Sequence, residues 1–151
     1  MLRTRLTVFL LLFAASACSA QREGQLLADG TVSPPRDVAA PPADALRRPS
    51  GLASKVLRVG LGTGRPGPRA RVLISYTGWT TDGKTFETSL KTGPVTMSID
   101  AVIPGWTEGL QLMVPGEKRR FWVPPDLTQR DRTIAAPPGM LVFDIELLEI
   151  R

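Results

Sequence analysis

Only one stretch of this 151-residue chain, GWTEGLQLM from Gly105 to Met113, reads as a helix. Trp106, Leu110 and Met113 recur at i, i+4 and i+7, a single apolar stripe. Pro104 suits the first turn and Gly116 a C-terminal stop. Every other periodic segment alternates. Val72, Ile74 and Tyr76 share one face and Leu73 and Ser75 the other. Phe121 and Val123 oppose Arg120 and Trp122. Leu141, Phe143, Ile145 and Leu147 oppose Asp144 and Glu146. Asp82-Gly83 marks a hairpin turn, with Phe86 opening the return strand. Leu57 and Val59 alternate in a candidate edge strand over 52–59.

One short helix cannot cover both faces of a sheet, but a bent sheet can fold one face around it. The expected fold class is α+β: a strongly bent antiparallel half-barrel of about five strands wrapped over one short helix. Trp106 then sits at the helix end nearest the rim, facing Tyr76, Phe86 and Phe143 across a small cavity, whose floor it forms.

The N-terminus reads differently. Arg3 and Arg5 precede an apolar run, Leu6 to Ala15, too short to span a bilayer as a mature helix. Ala15, Ser16 and Ala17 are the small residues of a cleavage site, so 1–17 is expected to be a secretory signal peptide. Cys18, the one cysteine, follows directly; the stretch resembles a bacterial lipobox, which implies lipidation at Cys18. Ser19 after it leans towards the outer membrane. With no second cysteine, no intramolecular disulfide can form. Residues 18–54 are Pro/Ala-rich, without aromatics or clear periodicity. They read as a tether reaching up to ~100 Å at ~3.1 Å per residue. The body is then 55–151.

The chain has no histidine, no G-x-S-x-G elbow and no cluster of metal ligands, so the usual hydrolytic and metal chemistries have nothing to work with, and no cofactor is expected. GLGTG at 60–64 lacks the lysine and strand–helix context of a phosphate loop and reads as a flexible turn. The formal charge of +5 falls once Arg3 and Arg5 are removed, which argues against a nucleic-acid partner. Lys118–Arg120 reads as a solvated strand edge, and Asp144 and Glu146 as solvated charge. What remains is an apolar aromatic pocket, suited to rotation about an X-Pro amide, which needs no nucleophile.

YTGWTTDGKTFETS, VIPGWTEGLQLMVPGEKRRFWVPPDL and PPGMLVFDIELLEI resemble the FKBP-type peptidyl-prolyl isomerases over about residues 52–151. The resemblance implies the same half-barrel and proline-containing polypeptide substrates. It makes Trp106 the indole under the substrate's proline, Tyr76, Phe86 and Phe143 the walls, and Val102 and Ile103 the residues before the floor, with the Ile103 amide on a substrate carbonyl. Val95 stands near a place where the family often has another Phe. Two departures stand out. Glu87 replaces the family's usual Asp, and Thr128-Gln129-Arg130 replaces Ala-Tyr-Gly. Gln129 offers an amide in place of an aromatic lid, and Ile134 is the residue that could restore cover. The expected function is an exported isomerase on the periplasmic side, monomeric, lipid-anchored and assisting protein folding. The alternative is a module that binds proline segments with little turnover.

Overall fold

The computed structural model describes residues 23–128 and 136–151. Among these residues seven strands form one open antiparallel sheet: β1 (Leu46–Arg47), β2 (Ala53–Arg58), β3 (Arg71–Thr80), β4 (Thr85–Thr88), β5 (Val95–Ser98), β6 (Lys118–Val123) and β7 (Leu141–Ile150). Their order is β1-β2-β6-β7-β3-β4, and β5 pairs with the other end of β3. The count exceeds the expected five because the two-residue β1 and the short β5 carry too little alternation to be read from sequence. One α-helix, α1 (Pro104–Leu110), lies across one face among the described residues.

Sequence dictates the local turns. Gly83 has φ +86°, the left-handed value the β3–β4 hairpin needs, and Thr80 N–H donates to the Lys84 carbonyl across it. The helix is shorter than its apolar stripe. After Leu110 the chain tightens: Leu112 N–H bonds Gly109 O and Met113 N–H bonds Leu110 O, both three residues back. Met113 still reaches the core, where it is fully buried with Leu110. Close approach of helix and sheet needs the bare sides of two glycines. A Cβ on Gly105 would lie 2.5 Å from Val123 Cγ1, and one on Gly109 2.6 Å from Phe121 Cε1.

Phe121, Val123, Leu141, Phe143, Ile145 and Leu147 pack beneath the helix with Ile74, Val72 and Leu52, as the alternation requires. In β2 the anchor is Leu52, just before the strand. Leu57 and Val59, expected to hold it, are 38% and 75% exposed.

The opposite face is not solvated. Trp79, Trp122 and Val142 point there and are fully buried. Their cover is the segment expected to be a tether. From residue 23 it forms a small turn-like hairpin, with an isolated bridge between Leu26 and Val32, and then a proline-rich crossing. Trp79 Nε1 donates to Val32 O at 2.9 Å, and Trp122 Nε1 to Asp37 O at 3.0 Å. Val38 and Ala45 pack on Trp122 and Val142. Arg48 reaches Glu108 on the helix at 2.9 Å. A tether bound this closely is part of the domain. It escaped sequence reading because an extended chain held by its carbonyls needs no apolar period of its own.

The basic run is corrected too. Arg120 is 3% exposed and pairs bidentately with Asp144, at 2.6 and 2.9 Å, and with Asp37. Burial opposes the guanidinium charge, but Asp144 and Asp37 outweigh it and raise its pKa. Arg119, also buried, holds Glu117 at 2.6 Å. The covering segment makes the face of Arg120 and Asp144 an interior, so the charges on it must pair; Arg119, in register with Ile145, lies on the helix side.

Candidate active site

On the helix side a cavity of about 360 Å3 opens between the start of α1, the β3–β4 hairpin and the middle of β7. Pro104 stands in the helix's first turn, and Trp106 N–H and Thr107 N–H both bond to Ile103 O, which sets the helix entry. Thr107 Oγ1 donates to Ile99 O at 2.7 Å, pinning the helix to the 3-10 turn Ile99–Ala101 before it. Trp106 is thereby fixed at the base of the cavity.

Its indole is held by edges. The Tyr76 ring meets it at 4.9 Å and 76°, and the Phe143 ring at 5.2 Å and 86°. Phe86 in turn meets Phe143 at 5.7 Å and 81°. Both phenylalanines lean over Gly78, where a Cβ would come within 2.8 Å of each ring. That glycine is what lets two aromatic walls meet over β3. Trp106 Nε1 is buried and has no hydrogen-bond partner among the described residues. The Ile103 amide likewise donates to none of them.

The polar side of the cavity is small. Tyr76 Oη donates to Glu87 Oε1 at 2.6 Å. The longer side chain at position 87 therefore has a place: it reaches the phenol from the neighbouring strand. Burial and the Glu87 carboxylate together push the Tyr76 pKa well above its ordinary value near 10, so the hydroxyl stays protonated. Asp100 lines the rim and accepts a hydrogen bond from Ser98 Oγ.

Seven of the residues picked from sequence come together around this cavity: Tyr76, Phe86, Glu87, Val102, Ile103, Trp106 and Phe143. Val95 does not. It packs half-buried against the core beside Ile74, and Met97, two residues on along β5, lines the cavity in its place. A two-residue step keeps the strand face, so alternation alone left the choice between them open. Leu141 was also missed as a lining residue, although it shares its face with Phe143. Gln129, Ile134 and Cys18 lie outside the described residues. Thr128 and Ala136, on either side of 129–135, both border the cavity.

An apolar hollow with an indole base, edge-on aromatic walls and one buried phenol can hold a compact apolar ring and a nearby carbonyl. Among the described residues no group of acidic, cysteine or histidine side chains could hold a metal ion. Comparison with known proteins gives a consistent answer. The outer membrane protein MIP of Legionella longbeachae is 40% identical over 107 residues, covering 68% of this chain and 46% of that one. The crystal structure of FkpA from Escherichia coli superposes with a TM-score of 0.66 at 34% identity, over 73% of this chain and 53% of that one. A peptidyl-prolyl cis-trans isomerase structure from Pseudomonas syringae gives 0.64 at 33% identity, over 72% of this chain and 82% of that one. The chain thus spans about half the length of the Legionella protein and 38% of the length of Escherichia coli FkpA. Residues 62–148, which hold all seven of the converging side chains, match the family described as FKBP-type peptidyl-prolyl cis-trans isomerase, and to that family this chain belongs.

Proposed function

We propose that this chain catalyses cis-trans isomerisation of X-Pro bonds in polypeptides. The observation that carries it is the Trp106 indole at the base of an open cavity, with Tyr76 and Phe143 edge-on to it. The barrier to rotation is about 18–20 kcal/mol because the amide bond is partly double. Twisting removes that resonance, shrinks the amide dipole and weakens its hold on water. A dry aromatic hollow therefore favours the twisted state over the planar one. The prolyl ring rests on Trp106 between Tyr76, Phe86 and Phe143. The Ile103 amide, without a partner among the described residues, receives the carbonyl that follows the ring, which fixes the peptide while the bond before the proline turns. Glu87 holds the Tyr76 hydroxyl in place at the cavity wall. The reaction forms no covalent intermediate and calls for no cofactor.

The substrates are exported chains, on the periplasmic side of the cell envelope, and the protein acts as a monomer lipid-anchored at Cys18 in the outer membrane. The signal-like N-terminus supports export, and the small residues before Cys18 support the anchor. No helix among the described residues is long and apolar enough to cross a membrane.

The test is the relaxation of an X-Pro peptide from cis to trans. Trp106→Ala is expected to lower kcat/KM at least about tenfold, or ~1.4 kcal/mol of transition-state stabilisation. Wild-type protein that binds proline peptides but relaxes them no faster than this variant would leave a binding module instead.

A further inference from the structure

Packing of the N-terminal segment changes where an anchor would hold the domain. A free tether from Cys18 to residue 54 would let the domain roam. The described chain instead is bound to the sheet from Glu23 onwards: Glu23 pairs with Arg120, and Gly24 N–H bonds Ser33 O. Only Ser19, Ala20, Gln21 and Arg22 separate it from Cys18. At no more than ~3.6 Å per residue, that leash is roughly 18 Å, short against the size of the domain.

The place where it attaches has a direction. A Cβ on Gly24 would stand 3.8 Å from Lys118 Nζ. Lys118 opens β6 and is in register with Arg58, which closes β2. From Arg58 the chain runs into a loop that lies over the far end of the helix: Gly62 N–H bonds Pro115 O, and Arg65 Nε donates to Leu112 O at 3.1 Å. The cavity lies at the other end of that helix, around Ile103 and Trp106.

The loop's composition fits a lipid surface. Leu61 is 96% exposed and Val59 75% exposed, the two most exposed large apolar side chains among the described residues. Between 58 and 71 stand Arg58, Arg65, Arg69 and Arg71, with no Asp or Glu. Arg65, Arg69 and Arg71 have no acidic partner among the described residues. Two bare apolar side chains inside an arginine set match the acyl boundary and anionic headgroups of a bilayer.

We propose that residues 58–71 form a membrane-contact surface. It seats the anchored domain on an anionic bilayer through Val59 and Leu61, with the cavity turned away from the lipid and open to passing chains. The inference rests on the lipid anchor at Cys18 proposed above.

The full chain, purified with its anchor, is tested on vesicles of phosphatidylethanolamine and phosphatidylglycerol. Mass analysis of the mature N-terminus comes first. An unmodified Cys18 overturns the anchor and the seating together. With Cys18 modified, a Leu61→Cys variant carries an environment-sensitive fluorophore. Its emission is expected to shift to the blue on these vesicles and much less on pure phosphatidylcholine. Val59→Ser/Leu61→Ser is expected to leave the vesicles about tenfold faster than wild type, with unchanged isomerase rate on a soluble peptide. A label that reports water on vesicle-bound protein, or a double variant that dissociates like wild type, overturns the surface alone. So does a blue shift that appears without vesicles and grows with protein concentration, which would mark contact between copies.

Discussion

The three tryptophans divide the molecule into two regions that use the same side chain oppositely. Trp79 and Trp122, on the outer face of the sheet, are fully buried, and each gives its indole N–H to a carbonyl of the covering segment. Trp106, on the helix side, borders a cavity and leaves its N–H without a partner among the described residues. A buried, unpaired donor costs roughly 1–3 kcal/mol, a cost selection removes where stability alone is at stake. The outer face is finished by its own chain. The inner face is left open at the cavity beside Trp106.

The sharpest way to break this contrast is to remove the cover. Deleting residues 23–45 strips Trp79, Trp122 and Val142 and takes Asp37 from Arg120. The loss is expected to exceed about 5 kcal/mol, comparable with the whole stability of a small domain. Urea unfolding should then lose its cooperative transition. An unchanged midpoint would return the segment to the role of a loose tether.

A smaller cut goes through the charge network under that cover. Arg120→Leu leaves Asp144 buried without its bidentate partner. It is expected to cost about 3–5 kcal/mol in denaturant, with the isomerase rate per folded molecule unchanged. Loss of activity at full stability would mean that the two faces communicate.

Paired tryptophan changes sharpen the comparison itself. Trp122→Phe loses a hydrogen bond and opens a gap in a filled region, for about 2–4 kcal/mol of stability and no change in kcat/KM. Trp106→Phe loses no hydrogen bond among the described residues and borders a space already open. It is expected to cost about 1 kcal/mol or less in stability while kcat/KM falls about tenfold. The same effect from both substitutions would erase the distinction.

The smallest effect is at alkaline pH. The Tyr76 hydroxyl keeps its proton in the fold to higher pH than in the unfolded chain, whose tyrosine titrates near 10. Above that pH the unfolded state binds fewer protons, so stability falls as pH rises. Tyr76→Phe, compared with wild type by thermal unfolding between pH 9 and 11, should lose part of this slope. An identical slope would show that the phenol is not shielded as its burial and its bond to Glu87 require.

Much of the inner face was legible beforehand, because it obeys periodicity. The i, i+4, i+7 stripe of Trp106, Leu110 and Met113 and the alternation from Leu141 to Leu147 each assign side chains to one side. Val95 and Met97 mark the limit. Both keep the correct face of β5, and only the tertiary path of the strand brings one to the cavity. The outer face was misread as solvent. Its cover shows no period, and Arg120 and Asp144 look like surface charges until their partners are in place.

By itself the amino-acid order determined the longer strands, the short helix under the sheet, and the indole at the helix entry. Those depend on local repeat and on residue shape, which neighbours in the chain suffice to express. Which charges are buried, which of two strand neighbours faces the cavity, and that the proline-rich N-terminal segment belongs to the domain were decided only in three dimensions. Such contacts join residues tens of positions apart, as Arg120 and Asp37 are, and no local pattern encodes them.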